Sequence, residues 1–200
     1  MDGAAFVRGT PRRLKSRRQP AEDVPSPAPA DHRAHMTPAP IPPDDEQRLK
    51  ALRELLILDT PPEERFDRVV RFAAQEFEMP IVLVSLVDAK RQWFKASVGM
   101  DACESDRESS FCGHAIAQPQ LFVVEDALLD ERFHDNPFVA GAPNVRFYAG
   151  APLQLPDGAI VGTLCMIDCR PRALDAVDQA IFASLRDLVV SELVSQEVVQ

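Results

Sequence analysis

Residues Val145–Asp168 read VRFYAGAPLQLPDGAIVGTLCMID. Two runs rich in β-branched and aromatic residues flank Pro156-Asp157-Gly158. Proline presets the first corner of a turn, and glycine accepts the positive φ that a hairpin turn requires, so the stretch predicts a β-hairpin. Both arms carry small residues where bulk is expected: Ala149, Gly150 and Ala151 on one, Gly162 and Thr163 on the other. Glycine inside a strand marks close approach of a ligand or of another backbone. The hairpin is therefore either the floor of a small-molecule pocket or a surface cleared for a helix.

C-terminal to the hairpin, Pro171 forbids continuation of the second arm beyond Asp168. A long helix follows from Leu174, with Asp175 as its cap and Val177, Ile181, Leu185, Leu188, Val189 and Val194 as its apolar stripe. Such a helix packs on the sheet alone or pairs with a copy of itself in a parallel dimer.

Upstream, Leu121–Val124 predicts a short strand, and residues 126–136 a loop with one helical turn, followed by irregular chain to Asn144. Phe111–Ile116 predicts a short helix behind a polar loop, Cys103–Ser110. Gln92–Val98 predicts a strand that places adjacent Trp93 and Phe94 on opposite faces. Ile81–Val87, IVLVSLV, is nearly continuous in apolar residues and so belongs at the centre of a sheet covered on both sides. Thr60-Pro61-Pro62-Glu63 is a helix start, with Phe66, Val69, Val70, Ala73, Ala74 and Phe77 on one face and Pro80 as the stop. Asp44 and Gln47 form a capping-box pattern ahead of Leu49, Leu52, Leu55 and Leu56, predicting a helix to about Ile57. Hairpin-connected strands with helices at both ends indicate an α+β domain with an antiparallel sheet. Its terminal helices cover one face, and its loops cover a pocket on the other.

The 200 residues suit one domain and a tail. Hydrophobic residues make up 46% of the chain, enough for a real core. Residues 1–43 differ from the rest: they hold half of the 18 prolines and seven Lys/Arg against four Asp/Glu. With a total of -9, that leaves the tail at +3 and residues 44–200 at -12. This composition predicts a disordered tail, with Met36 as an alternative start. The acidic body argues against nucleic acid as a partner. The sequence has no apolar run long enough for a bilayer and no secretory h-region, so no membrane is expected and the location is expected to be cytoplasmic. Four cysteines in such a chain read as free thiols.

The element order, together with LDTPPEERFD, RQWFKASVG, SSFCGHAI, VRFYAGAPL and GTLCMID, closely resembles GAF domains. More narrowly it resembles the bacterial subgroup found ahead of histidine kinase or diguanylate cyclase modules. The resemblance spans about Asp44 to Val190. It implies a six-stranded antiparallel sheet, a pocket over one face and dimerisation through terminal helices. It implies no particular ligand or cofactor, because GAF domains bind cyclic nucleotides, haem, bilins or small metabolites, and some bind nothing.

Several side chains are candidates for ligand contact: Trp93, Ser110, Cys112, His114, Asp126, Arg146, Tyr148 and Cys165. Ser109 and Asp168 lie beside them, Asp168 equally as a strand end. Arg146 either holds an anion bidentately or pairs with Asp126. Bilin attachment in GAF domains uses a cysteine followed directly by histidine; here Gly113 intervenes between Cys112 and His114. A metal site needs three or four converging ligands, which the spacing of Cys112, His114, His134 and Cys165 does not announce. Cys165 and Cys169 are too far apart on one strand to pair. Cys103 and Cys112 fall near two cysteines of the free methionine-R-sulfoxide reductases, a GAF subfamily. That family's usual nucleophile belongs in the loop that here reads NPFVAGAPNV, without cysteine. The sequence thus favours a non-catalytic sensory GAF domain over residues 44–200, acting as a homodimer or on a separate histidine kinase or diguanylate cyclase output protein, with an unknown small molecule as signal. The alternatives are a thiol-dependent reductase and a dimerisation scaffold with an empty pocket.

Overall fold

The structure, a computed structural model, describes residues 36–195. Its core is one antiparallel sheet of six strands in the order β3-β2-β1-β6-β5-β4. Along the chain these are β1 (Ile81–Val87), β2 (Arg91–Val98), β3 (Glu104–Asp106), β4 (Phe122–Val124), β5 (Phe147–Gln154) and β6 (Ile160–Asp168). The hairpin predicted around Pro156-Asp157-Gly158 is β5–β6, with Gly158 at φ 92° in its turn. The apolar run Ile81–Val87 is β1, buried along its whole length between β2 and β6. β3 lies inside the segment expected to be a polar loop. Its three residues are exposed or half-buried at the sheet edge, so no alternation marks them.

Helices α1 (Asp45–Glu54), α2 (Glu64–Glu76) and α5 (Ala176–Val194) cover one face of the sheet. The short helices α3 (Phe111–Ala115) and α4 (Pro137–Ala140) lie among the loops on the other. The α5 start matches its sequence: Asp175 accepts from the backbone N–H of Val177 and Asp178, and Asp178 closes the capping box. Two other helix starts differ from expectation. Asp44 makes no capping hydrogen bond, and α2 begins at Glu64 rather than after Thr60. Thr60 instead accepts a hydrogen bond from Lys95 and donates to the Ile57 carbonyl. The stripe of α5 also turns relative to expectation. Phe182, Val189 and Leu193 are its buried residues, whereas Val177 and Leu188 stand exposed.

Each face of the sheet carries its own core. Val82, Val84, Leu86, Ala149, Ala151, Leu164 and Met166 face the helices, while Leu83, Val87, Tyr148, Cys165 and Ile167 face the loops. The register skips Lys95 between Val84↔Ala96 and Ser85↔Phe94, so β2 bulges there. The bulge turns Lys95 into the helix side, where its ammonium meets Thr60 Oγ1 at 2.7 Å, the Pro61 carbonyl at 2.8 Å and Glu63 at 2.6 Å. The buried charge is thereby fully paired, as its burial requires.

Of the tail expected over residues 1–43, residues 1–35 lie outside the described residues. Met36–Pro42 is packed. Met36 and Pro42 are buried, and the Ala39 N–H donates to the Glu108 carbonyl at 2.8 Å. This strap crosses α3 so closely that a Cβ on Gly113 would lie 2.6 Å from that of Ala39.

A candidate thiol chamber under the loops

Seen from the hairpin, the small residues resolve into two roles. Ala149 and Ala151 face the helices and clear room for them. Gly150 instead clears room for a side chain of its own strand: a Cβ there would meet Tyr148 Oη at 2.4 Å. The Tyr148 ring therefore lies along β5 into the loop-side core. Phe111 stacks on it at 5.1 Å and on Phe133 at 4.1 Å, with Phe122 edge-on to both Phe133 and Tyr148. The layer expected to hold a pocket is thus filled by rings.

Helix α3 forms the roof. Ser110 caps it by accepting from the Gly113 N–H at 2.9 Å while donating to the Arg107 carbonyl at 2.8 Å. The cap drives Cys112 down onto β6. Its sulfur lies 3.7 Å from that of Cys165 and accepts from the Tyr148 hydroxyl at 3.3 Å. Thr163 and Ser85 lie beside the sulfurs as well; Thr163 Oγ1 is buried without a hydrogen-bond partner, and the Ser85 hydroxyl donates to Gln92 Oε1 at 3.2 Å. Burial pushes the Cys112 thiol up, but the polar groups around it, Cys165, Thr163, Tyr148 and Ser85, outweigh this and hold it at about 7. Cys165 moves the opposite way, raised by its hydrogen bond to Cys112 and by burial. Tyr148 is raised by burial and by the two sulfurs beside it.

His114 sits under the strap, edge-on to Phe133 at 4.7 Å, with Nε2 buried and unpartnered. Burial lowers its pKa, against a hydrogen bond to the Thr37 backbone. Asn136 ties the roof together through the Ser109 carbonyl at 2.8 Å, the Phe138 N–H at 2.9 Å and Met36 Sδ at 3.6 Å. Sequence reasoning missed this residue. Its position just before Pro137 was the available signal, since asparagine caps a helix with proline in the first turn.

The structure brings Cys112, Tyr148 and Cys165 into one chamber, with Ser110 and His114 in its roof. It does not bring Trp93 there, because Trp93 belongs to the helix-side core. Asp126 and Arg146 form a bidentate pair at the strand ends, at 2.6 and 2.7 Å, the second of the two readings open for that arginine. The Arg146 guanidinium holds the Asp126 carboxyl below the usual range. Asp168 accepts from the Arg170 N–H and from Arg172, in keeping with a strand end. Cys103 and Cys169 are exposed. Among the described residues no three His, Cys, Asp or Glu side chains converge as metal ligands. No described helix is long and apolar enough to cross a membrane. An open groove of about 440 Å³ lies elsewhere, between Pro156 of the hairpin and Asp187, Val190, Ser191, Val194 and Ser195 of the α5 end.

The family model for the GAF domain matches residues 61–193. Over 159 residues the chain is 41% identical to a cyclic di-GMP phosphodiesterase of Pseudomonas aeruginosa. That alignment covers 79% of this chain and 27% of the other, so the chain spans about a quarter of the curated relative it matches. Among solved structures, it is similar to the GAF domain of an Acinetobacter phosphoenolpyruvate-protein phosphotransferase, with a TM-score of 0.59, 17% identity, and coverage of 77% of this chain and 96% of that one. It is also similar to the free methionine-R-sulfoxide reductase of Neisseria meningitidis, with a TM-score of 0.56, 16% identity, and coverage of 75% and 90%. At these identities the likeness is one of fold.

Proposed function

This chain belongs to the GAF family, and on that premise we propose that it is a sensory input module whose loop-side chamber controls the terminal helices. The observation that carries this reading is the sheet shared by two cores. On β6, Cys165 and Ile167 face the chamber while Leu164 and Met166 face the helices, so a change in packing on one side is felt on the other. A signal that shifts α5 must bind its two arrangements with different affinity. Identity with the phosphodiesterase relative supports an output that turns over cyclic di-GMP, in the same polypeptide or in a partner. Val177 and Leu188, exposed on a face of α5 away from Phe182 and Val189, suit a dimer contact through that helix.

Native mass spectrometry of the protein from its own host, followed by hydrogen exchange, tests the reading. We expect a retained small molecule, and exchange along α5 that changes when it is removed. Identical α5 exchange with and without the occupant overturns it. Consumption of free methionine-R-sulfoxide with a thiol donor, lost on Cys112→Ser, would put the reductase in its place. The loop 136–145 without a cysteine argues against that outcome. For the dimer, Leu188→Lys is expected to shift the chain to monomer in analytical ultracentrifugation.

A further inference from the structure

Cys112 on α3 and Cys165 on β6 stand 53 positions apart in the chain, yet their sulfurs are 3.7 Å apart. Both are free and buried. A disulfide holds its sulfurs at about 2.05 Å, so roughly 1.7 Å of approach separates the thiols from a bond. Their surroundings are not those of small apolar fillers, which need no polar neighbours. The Tyr148 hydroxyl donates to Cys112 Sγ at 3.3 Å, and the hydroxyls of Thr163 and Ser85 lie nearby inside an otherwise apolar core. That polarity is costly unless it serves a charge or a bond. It also extends outward: Ser85 Oγ contacts Gln92 at 3.2 Å, and Gln92 Nε2 donates to Ser105 Oγ on β3 at 2.6 Å. A polar track thus joins the sulfur pair to a half-buried side chain at the sheet edge.

We propose that Cys112 and Cys165 are a redox modification site, closing to a reversible disulfide on exposure to a hydroperoxide. Cys112 reacts first, because the Tyr148 hydroxyl and the Cys165 thiol beside its sulfur favour its thiolate. Its sulfur attacks one oxygen of hydrogen peroxide; an S–O bond forms as the O–O bond breaks. The departing hydroxide takes up the proton that the thiol released, leaving a sulfenic acid and one water. Cys165 then attacks the sulfenic sulfur; the S–S bond forms, the S–O bond breaks, and hydroxide leaves with the Cys165 proton as a second water. In total two thiols lose two electrons to one peroxide. Because Cys112 is buried, the first step waits on local opening of α3, a helix of five residues. Once formed, the bond tethers the roof to a central strand and removes the thiol acceptor from the Tyr148 hydroxyl.

The experiment uses the full chain carrying Cys103→Ser and Cys169→Ser, which removes the exposed thiols. After hydrogen peroxide treatment, acid quenching, denaturation and alkylation, intact mass and peptide mapping are read. We expect a chain two hydrogens lighter, refractory to alkylation until a thiol reductant is added, with the Cys112 and Cys165 peptides joined. The oxidised protein is expected to melt at a higher temperature. In Cys165→Ala, dimedone is expected to trap the sulfenic acid on Cys112; should that variant not fold, the mass of the two-cysteine chain still decides. Two thiols that remain fully alkylatable, under peroxide that oxidises Cys103 in the unmodified chain, overturn the proposal. So does over-oxidation of Cys112 without a cross-link. A disulfide that forms with no change in α5 exchange supports the redox site and counts only against the sensory reading, so the two fail separately.

Discussion

Arg107 and Asp45 hold each other in a two-point ion pair, with Nη1 2.9 Å from one carboxylate oxygen and Nη2 2.8 Å from the other. Asp45 opens α1 in the helix layer; Arg107 precedes the chamber roof. The same carboxylate accepts from Arg48 Nε at 2.8 Å, and Arg48 Nη1 reaches the Val87 carbonyl at 2.6 Å. The pair therefore clasps the two layers around the end of β1. Both arginines are buried, so the aspartate is their main compensation.

Removing that carboxylate leaves two buried guanidinium groups short of a partner. Asp45→Ala is expected to lower the unfolding free energy by about 2–3 kcal/mol, the scale for charge-assisted hydrogen bonds lost at buried groups. Urea denaturation measures it. Burial raises the Asp45 pKa, but the hydrogen bonds from Arg107 and Arg48 outweigh this and leave it below the usual carboxylate value. A depressed carboxylate stabilises the fold fully above its unfolded pKa of about 4, and this contribution is lost as pH falls through the folded value. The difference between wild type and Asp45→Ala is thus expected to be constant near neutrality and to shrink below about pH 4.

Lys95→Met keeps the aliphatic stem but strips donors from Thr60 and Pro61 and the cation from Glu63. A loss of about 2–3 kcal/mol is expected by urea denaturation. Lys95→Arg is not expected to rescue it, because a planar fork does not fit three acceptors arranged around a point charge.

Gly150→Ala places a methyl group against a tyrosine that is fully buried and has nowhere to move. Overpacking of this kind costs about 1–3 kcal/mol. In a Tyr148→Ala background the same change is expected to cost much less, and a double-mutant cycle reads the coupling.

His114 supplies a second pH signature in a separate window. Burial lowers its pKa against the Thr37 backbone bond, with Arg132 lowering and Asp130 raising it to smaller degrees. The unfolded chain takes up a proton below about pH 6.5, where the folded chain still refuses it, so stability falls as pH drops through that value. The urea midpoint is expected to decline between pH 7 and 5.5, and less so in His114→Phe.

The hairpin, β1 and the start of α5 were legible because each is decided locally: a turn tripeptide, an unbroken apolar run, an aspartate with a second aspartate three residues on. The Lys95 bulge was not read, although a lysine between Phe94 and Ala96 in an apolar strand was its signal. β3 left no signal, since an edge strand of three polar residues has no buried face to alternate. The strap was hidden by its own prolines. Pro38, Pro40, Pro42 and Pro43 read as disorder, yet Met36 and Pro42 are buried and the Ala39 N–H is bonded to the Glu108 carbonyl.

The chamber was legible only in part. Cys112, Tyr148 and Cys165 could each be singled out as chemistry-bearing residues, but their meeting depends on α3 lying across β6, a contact that no spacing encodes. Trp93, expected in the same group, lies in the other layer, and Phe94 beside it faces the chamber. Asp126 and Arg146 found each other instead of a ligand.

The rings of the chamber have one more consequence. Phe111, Phe133 and Tyr148 occupy the space a guest would need, so entry is an exchange of one solid filling for another. The free energy of such an exchange is the difference between two well-packed states, and the area a guest buries is largely area the rings give up. Sharp discrimination by shape follows from that cancellation, because a guest is favoured only insofar as it fits better than the protein's own side chains.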